Sequence, residues 1–405
     1  MISGQHATTP QALLRTKLPA VGDTIFNEMS TLARTLGSIN LGQGYPDYSP
    51  DHELLKAVSD AMFTGHNQYA PMAGTPSLRE AITQKVCTQH GVQYDAQTEV
   101  TVTSGASEAL MSTFQALVHP GDEVILIDPS YDLYAPAIVL SGGTPTRVPM
   151  QPPTPERPKF AIDWDAVEAA FTNKTCMIVL TFPHNPTGIT MHEADLDALE
   201  AIMNRHPACL IVSDEAYEHI VFDADEQRSV IRRPSLASRS VLISSFGKTF
   251  HATGWKIGYC CAPAAIMQEI QKIHQFVVYS VNTPMQAGIA QYLQSHSQAL
   301  QSLPAFYQKK RDRLTGGLLT TCLRPLQSEG TFFLLVDTSA LHMGYEKELA
   351  IHLTKAIGVT AIPVSAFYPD PAAPSANHQL LRLCFAKQDS TLDQAVERLQ
   401  GLGKA

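Results

Sequence analysis

The chain of 405 residues has little positive charge and no long apolar run. Its 29 lysines and arginines are outnumbered by 38 aspartates and glutamates, which gives a net charge of -9. Nucleic acids and anionic membranes are bound through clustered lysine and arginine, so we expect neither partner, and the basic run at 309–311 is interpreted as a solvated helix face. No segment has the roughly 18 consecutive apolar residues of a membrane helix, and no apolar segment typical of a signal peptide stands near the N-terminus, so we expect neither membrane insertion nor secretion.

Cysteine is also sparse, and its spacing is not that of a disulfide framework or a metal site. The seven cysteines are an odd number, no two form a C-x-x-C pair, and four lie inside apolar runs. The pair His192-Glu193 lacks the second histidine of a zinc-binding helix. We therefore expect reduced core cysteines, a cytoplasmic protein and no metal.

The feature that the chain does have is an alternation of β-like and helical segments between about residues 98 and 261. Apolar β-like runs, such as those at 123–127 and 175–181, are each followed by a segment with helical periodicity. This alternation predicts an α/β fold, a mostly parallel sheet with helices on both faces.

The remainder of the chain has a different pattern. From about residue 284, long helices, one of them at 303–319, mix with isolated strands, which predicts a smaller α+β domain. We predict an N-terminal arm at 1–20, a small domain formed by 21–47 and 284–405, and a large domain at 48–283.

One lysine stands in an unusual setting for a charged residue. Lys248 follows the β-like run at 240–243 and lies among small and hydroxylated residues, Ser244-Ser245-Phe246-Gly247-Lys248-Thr249. Burial favours the neutral, nucleophilic amine that Schiff-base chemistry requires. When the residue is taken alone, an ordinary surface lysine is the better explanation, because most lysines are exposed. The other loops therefore decide between the two interpretations.

Further polar and glycine-rich loops follow the other predicted strands. In open α/β sheets, ligands bind beyond the carboxyl ends of the strands. The sequence Gly105-Ala106-Ser107 opens a helix, whose free N–H groups suit a phosphate, although Ser107 as a simple N-cap explains the same residues. The remaining strand-end loops hold Tyr131, Asn185, Asp214 and Tyr217.

A glycine-rich loop near the N-terminus requires a separate interpretation. Gly42-Gln43-Gly44-Tyr45-Pro46-Asp47 begins like a dinucleotide-binding fingerprint, but Asp47 stands where the third glycine is required. The dinucleotide interpretation therefore fails. A tight turn that lets the backbone approach a ligand and a turn without such a role both remain open.

Taken together, these loops supply what pyridoxal phosphate requires of a protein. The cofactor needs an anion at its ring nitrogen, donors at its phenolic oxygen, a stacking ring, a phosphate cradle and an amine for its aldehyde. Five strand-end loops match these five requirements.

At these motifs the chain resembles the fold-type-I pyridoxal phosphate aminotransferases of class I, over about residues 20–400. The resemblance is carried by the motifs at 104–109, 185–188, 214–217, 245–250 and 253–258. Segments 40–47, 67–71, 250–255 and 381–387 resemble most closely the branch of methionine, kynurenine and glutamine aminotransferases. The resemblance implies pyridoxal 5'-phosphate as cofactor and a homodimer with shared active sites.

The same resemblance implies a role for each residue near the cofactor ring. Lys248 would form the Schiff base and then move the proton at the substrate Cα. Asp214 would keep the ring nitrogen protonated, and Tyr131 would stack on the ring. The donors to the phenolic oxygen would be Tyr217 and Asn185.

The resemblance also implies which residues bind the cofactor phosphate and the substrate. The implied phosphate ligands are Gly105, Ala106, Ser107, Ser245 and Lys256, with Tyr69 reaching the phosphate from the partner subunit. Many class I members have arginine at the position of Lys256, so the charge is kept while the forked geometry is lost. Arg382 would bind the substrate α-carboxylate through two hydrogen bonds. The residues implied beside it are Asn185, Gly44 and Tyr45.

The expected function is an aminotransferase that moves the amino group of a neutral, hydrophobic or aromatic amino acid to a 2-oxo acid by a ping-pong mechanism. Methionine, phenylalanine, tyrosine and kynurenine are the candidate donors, and the hydrophobic preference follows from the aromatic residues Phe26, Tyr45, Tyr131, Phe332 and Phe367. A cysteine-conjugate carbon–sulfur β-lyase with the same cofactor shares every motif. A non-catalytic pyridoxal phosphate-binding regulator is the third interpretation, disfavoured because no DNA-binding domain or basic patch accompanies the motifs.

Overall fold

The computed structural model describes residues 15–19, 21–223, 227–296 and 298–402. Of the predicted N-terminal arm, residues 1–14 and 20 lie outside these ranges. Across the described ranges, no helix combines the length and the apolar character that crossing a membrane requires.

Strands and helices alternate through most of the chain. The strands of the described residues are β1 (Ile39–Asn40), β2 (Val100–Thr103), β3 (Glu123–Asp128), β4 (Thr144–Pro149), β5 (Thr175–Thr181), β6 (Leu210–Asp214), β7 (Ser240–Ser245), β8 (Gly258–Cys261), β9 (Arg324–Pro325), β10 (Phe333–Asp337), β11 (Val359–Thr360), β12 (Ile362–Pro363) and β13 (Leu380–Cys384). The α-helices are α1 (Ile25–Leu36), α2 (His52–Phe63), α3 (Pro76–His90), α4 (Gly105–Leu117), α5 (Tyr134–Leu140), α6 (Trp164–Ala169), α7 (Glu193–Arg205), α8 (Pro234–Ala237), α9 (Phe246–Thr249), α10 (Ala264–Val277), α11 (Thr283–Ser295), α12 (Gln298–Leu318), α13 (Glu346–His352) and α14 (Asp389–Leu399).

The main sheet, within the described residues, has seven strands in the order β2-β8-β7-β6-β5-β3-β4. Neighbours from β7 to β4 pair in parallel, whereas β8 is antiparallel to both β7 and β2. The predicted α/β fold with a mostly parallel sheet is confirmed.

Both faces of this sheet are apolar, and successive residues of a strand contribute to different faces. In β3, Val124 and Leu126 belong to one apolar cluster, whereas Ile125 and Ile127 belong to another. This period of two is the pattern of a strand that helices cover on both sides. The sheet is therefore rigidly held, and its strand ends are well-defined positions for a site.

A second group of elements surrounds a separate apolar cluster. The antiparallel sheet β12-β13-β10-β9 and the parallel pair β1-β11 pack with α1, α13 and α14 there. The predicted division assigns helix α11 to the small domain, but the helix packs on α2 and α3. Tyr292 of α11 donates a hydrogen bond to Asp51 before α2, and Gln286 accepts one from the N–H of Thr75 before α3. The domain division stays a prediction.

Two details of the sequence interpretation are wrong around α12. The helix begins at Gln298, before the predicted start at residue 303, and it contains Pro304. The basic run at 309–311 is not a uniformly solvated face, because Lys310 is buried and donates to Lys387 O at 2.6 Å. Its ammonium also lies 5.0 Å from the centre of the Tyr48 ring, so cation–π contacts and the carbonyl replace water.

Candidate active site

The strand ends of the main sheet meet at one edge, where a cavity of about 470 Å³ opens. Parallel strands place their carboxyl ends at the same edge, and the antiparallel β8 begins there, so the residues just before it reach the same cavity. The structure brings together in the lining most of the predicted site residues, namely Gly44, Ala106, Ser107, Tyr131, Asn185, Asp214, Tyr217, Ser245, Lys248, Lys256 and Arg382.

Lys248 lies in the short helix α9, directly after β7. Its Nζ donates to Gly44 O at 2.9 Å and lies 5.3 Å from the centre of the Phe332 ring. Burial lowers the pKa of Lys248 to about 8, and the charges of Arg382 and Lys256 contribute to the same shift. A substantial fraction of this amine is therefore neutral near physiological pH, as a nucleophile requires.

Asp214 ends β6 and is almost entirely buried. Its Oδ2 accepts a hydrogen bond from Tyr134 Oη at 2.7 Å, and its Oδ1 accepts one from the N–H of Ala216 at 3.1 Å. Burial raises the pKa of Asp214. A buried carboxylate with neutral hydrogen-bond partners favours an added cation, so Asp214 is suited to hold a protonated ring nitrogen.

The N-terminus of α4 forms an anion cradle at one end of the cavity. Gly105 has φ of +74°, and a Cβ placed on it would lie 3.2 Å from Lys256 Nζ. A Cβ on Gly258 would lie 2.7 Å from the backbone N of Ala106, so only glycine lets β8 approach the helix start this closely. Free N–H groups, the helix dipole and one ammonium make this end suitable for a phosphate.

The structure excludes one of the two interpretations of Ser107. The N-cap residue of α4 is Ser104, so the interpretation of Ser107 as the N-cap is wrong. Ser107 lies in the first turn and lines the cavity. Its role as a phosphate ligand stays a prediction.

Arg382 lies on β13, at the side of the cavity formed by the second sheet. Its guanidinium donates to Asn185 Oδ1 at 2.6 Å and to Gly42 O at 2.8 Å, and it stacks 3.8 Å from the centre of the Phe333 ring. Burial lowers its pKa to about 10. Among the described residues, no carboxylate lies within salt-bridge distance of Arg382, which leaves a buried cation that a ligand carboxylate would neutralise.

Gly105 is not among the residues that line the cavity, and Tyr69 and Tyr45 lie away from the cavity of this chain. Tyr69 is 82% exposed, and its ring contacts Tyr279 with the centres 5.4 Å apart. Tyr45 lies at the surface, where Lys387 Nζ donates to its carbonyl and lies 4.4 Å from the centre of its ring. The predicted role of Tyr69 requires a second subunit, and the roles of all three residues stay predictions.

Sequence reasoning did not identify several of the lining residues, among them Asp132, Tyr134, Thr181 and Phe333. Tyr134 Oη lies 2.5 Å from Thr181 Oγ1 and orients the Asp214 carboxylate. Its position one helical turn after Tyr131 is the only sequence signal for it. Asp132 directly follows Tyr131, and burial raises its pKa while the charge of Arg382 lowers it.

The residues present fit pyridoxal phosphate. The anion cradle, the buried carboxylate of Asp214, the ring of Tyr131 and the amine of Lys248 line one cavity, whose volume is in the range of small-molecule sites. The geometry of the cavity is therefore consistent with the cofactor predicted from the sequence.

Comparison with known proteins agrees with this geometry. The profile of the family described as aminotransferase class I and II matches residues 37–399. The methionine aminotransferase of Escherichia coli strain K12 is 47% identical over 96% of this chain and 98% of its own length. A kynurenine–oxoglutarate transaminase of Dictyostelium discoideum is 34% identical over 95% of each chain. The solved structure of the N-succinyldiaminopimelate aminotransferase of Mycobacterium tuberculosis is 38% identical, covers 96% of this chain and 100% of its own, and superimposes with a TM-score of 0.92.

Proposed function

The chain belongs to the class I and II aminotransferases and is a pyridoxal phosphate-dependent transaminase, and from this premise we propose that its amino donors are neutral, hydrophobic or aromatic amino acids. The donor is proposed to pass its amino group to the enzyme, which then passes it to a 2-oxo acid in a second half-reaction. Methionine, phenylalanine, tyrosine and kynurenine are the proposed donors. Relatives with methionine and kynurenine aminotransferase activity support this choice.

The observation that carries the proposal is that Lys248 and Arg382 line the same cavity. A buried guanidinium without a carboxylate partner suits the α-carboxylate of an amino acid, and the amine of Lys248 would then act at the neighbouring Cα. Arg382 is held in place by Asn185 and by the ring of Phe333, so the substrate would meet a pre-oriented group.

Pyridoxal phosphate supplies an electron sink that stabilises negative charge at the substrate Cα. Lys248 would provide the amine that holds the cofactor aldehyde and the base that moves the proton at the substrate Cα. Asp214, oriented by Tyr134, would hold a proton on the ring nitrogen. Tyr131 would provide the stacking ring.

The remaining contacts hold the cofactor in place. Tyr217 and Asn185 would donate to the phenolic oxygen of the cofactor. The proposed phosphate ligands are Gly105, Ala106, Ser107, Ser245 and Lys256, and the proposed neighbours of the substrate carboxylate are Arg382, Asn185 and Gly44.

Charge in the cavity favours substrates with a neutral side chain. In the described lining, the cations are Lys248, Lys256 and Arg382. Their proposed partners are the cofactor aldehyde, the cofactor phosphate and the substrate α-carboxylate, respectively. A second carboxylate on the substrate would find no further cation and would meet Asp132, which lines the same cavity. The rings of Phe26 and Phe333 offer apolar walls instead.

The test is the visible absorption spectrum of the purified holoenzyme during titration with single amino acids. We expect methionine and phenylalanine to bleach the band of the bound cofactor at lower concentrations than aspartate. Recovery of the band on adding a 2-oxo acid completes the ping-pong cycle. Failure of every neutral amino acid to bleach the band would contradict the proposed substrate class.

The carbon–sulfur β-lyase alternative is separated by product analysis. Elimination releases pyruvate, ammonia and a thiol from a cysteine conjugate, whereas transamination leaves the carbon–sulfur bond intact. Incubation of the holoenzyme with a cysteine conjugate, with and without a 2-oxo acid, should give amino-group transfer in excess of pyruvate. Pyruvate as the main product in both incubations would favour the lyase.

We further propose a homodimer with shared active sites in the cytoplasm. A surface patch of exposed apolar side chains supports the dimer: Met62, Phe63, Tyr69, Phe276, Val277 and Tyr279. Isolated exposed apolar residues are normal, but a group of this kind indicates an interface. The absence of disulfides among the seven cysteines supports a reducing compartment.

A further inference from the structure

A buried polar network lies outside the cavity lining, where α3 packs near the ends of β7 and β8. Its members are Lys85 of α3, Glu218, Ser244 of β7 and Tyr259 of β8. Lys85 Nζ lies 2.8 Å from Glu218 Oε2 and donates to Tyr259 Oη at 2.7 Å. Glu218 Oε1 accepts a hydrogen bond from Tyr259 Oη at 3.1 Å and another from Ser244 Oγ. The proposed reaction uses none of these side chains.

Stability alone is a weak explanation for the network. The side chains of Lys85 and Glu218 are only 4% and 0% exposed, and Tyr259 and Ser244 are equally enclosed. Removing two charges from water is unfavourable, and apolar residues of similar volume commonly stabilise a core as well as a buried ion pair does. A buried pair with four well-placed polar members therefore points to a role in orientation.

Glu218 is a permanent acceptor in this network. Burial by itself would raise the pKa of Glu218, but the charge of Lys85 and the hydrogen bonds from Lys85 and Ser244 lower it to about 2. The carboxylate therefore stays ionised at any pH at which a cytoplasmic enzyme works, and its hydrogen bonds do not change with pH.

Two partners of Glu218, Ser244 and Tyr259, are adjacent in sequence to residues at the edge of the site. Ser244 and Tyr259 are paired across β7 and β8, and the next pair along the strands is Ser245 and Gly258. Because side chains alternate between faces, Ser244 and Tyr259 point away from the cavity while Ser245 lines it. Glu218 itself directly follows Tyr217.

We propose that Lys85 and Glu218 are positioning residues for the cofactor site. Through Ser244 and Tyr259 they fix the ends of β7 and β8 relative to the turn after β6, and thereby set the distance between Tyr217 and the anion cradle. This inference rests on the proposed function, because it assigns Tyr217 to the phenolic oxygen and Ser245 to the phosphate.

The test uses two full-length holoenzyme variants, Glu218→Gln and Tyr259→Phe. During dialysis into cofactor-free buffer, the loss of visible absorbance should be roughly tenfold faster for Glu218→Gln than for the wild type. Tyr259→Phe, which removes one hydroxyl and no charge, should fold normally and show a smaller acceleration. We expect kcat to fall while the KM of the amino donor stays within about twofold, because Arg382 is not touched.

Two controls separate orientation from stability. Glu346 is a buried carboxylate outside the cavity lining that accepts from the N–H groups of Ser365, His378 and Leu380, so Glu346→Gln should lower Tm without faster cofactor loss. The double variant Lys85→Met/Glu218→Leu should regain Tm relative to Glu218→Gln, while cofactor loss stays fast.

The outcomes distinguish this inference from the proposed function. Cofactor loss at the wild-type rate in both Glu218→Gln and Tyr259→Phe would overturn the inference, as would a double variant that regains both Tm and cofactor retention. If the wild-type protein itself retained no pyridoxal phosphate, the proposed function would fail instead.

Discussion

Burial acts in different directions on the three charged residues that carry the proposed reaction. It lowers the pKa of Lys248 to about 8 and that of Arg382 to about 10, and it raises the pKa of Asp214. In each case burial disfavours the charged form of the side chain. A ligand anion would restore the charged form of the two cations, and a protonated ring nitrogen would restore that of Asp214. The cavity is therefore electrostatically prepared for a zwitterionic substrate and a cofactor with a basic nitrogen.

Lys248 should make the stability of the cofactor-free protein depend on pH. Its folded pKa of about 8 lies below its ordinary value of 10.5, so the unfolded chain binds more protons between these values. The penalty of burying the charge is complete below pH 8 and disappears as the pH rises toward 10.5. Lys248→Met should therefore stabilise the cofactor-free protein at pH 7 by up to about 3 kcal/mol and have little effect near pH 10.5.

Urea unfolding of the cofactor-free wild type and variant across this pH range measures the effect. The matched control is Lys174→Met, which changes an exposed lysine outside the cavity and should give no comparable stabilisation at pH 7. A stabilisation by Lys248→Met that is the same at pH 7 and pH 10.5 would show that packing, and not the buried charge, is responsible.

At the scale of elements, the strand ends explain why widely separated residues of the sequence share one cavity. The period-two pattern and the helix periodicity predicted the main sheet, and the loops after β2, β3, β5, β6 and β7 were identified because a parallel sheet collects them at one edge. Tyr134 and Thr181 were missed because a residue at the start of a helix or inside a buried strand has the same local pattern whether or not it contacts a site. The start of α12 was missed because Pro304 is unusual inside a helix.

The approach of β8 to the start of α4 should be intolerant of any side chain at Gly258. An alanine Cβ there would lie 2.7 Å from Ala106 N and 2.8 Å from Ser244 O, and both are backbone atoms that move only with their elements. We expect Gly258→Ala to cost about 1–3 kcal/mol of stability and to weaken cofactor binding, because the anion cradle is displaced.

Thermal unfolding and a pyridoxal phosphate titration of Gly258→Ala measure both effects. Gly254→Ala is the matched control, since a Cβ on Gly254 would have no atom within 4 Å, and it should behave like the wild type. Equal cofactor affinity in the two variants would mean that the cradle does not depend on the close approach of β8.

At the scale of the whole molecule, the exposed rings of Tyr69 and Tyr279 support the proposed dimer. Hydrogen bonds fix the segment around Tyr69, because Thr283 Oγ1 donates to Gln68 O at 2.6 Å and Ser280 Oγ donates to Ala70 O at 3.0 Å. An exposed aromatic ring on a well-fixed backbone is suited to contact a second subunit. Sequence alone does not show this arrangement, because Tyr69 has the same local pattern as a packing aromatic.

If Tyr69 of one subunit completes the site of the other, two inactive variants should complement each other. Mixing Tyr69→Ala with Lys248→Ala, followed by subunit exchange, produces hybrid dimers in which one site has both an intact Lys248 and an intact Tyr69. At equal amounts, random pairing should restore roughly a quarter of the wild-type activity. Each variant taken through subunit exchange with itself is the control. If the activity of the mixture is no higher than the mean of the two separate variants, Tyr69 acts within its own subunit or not at all.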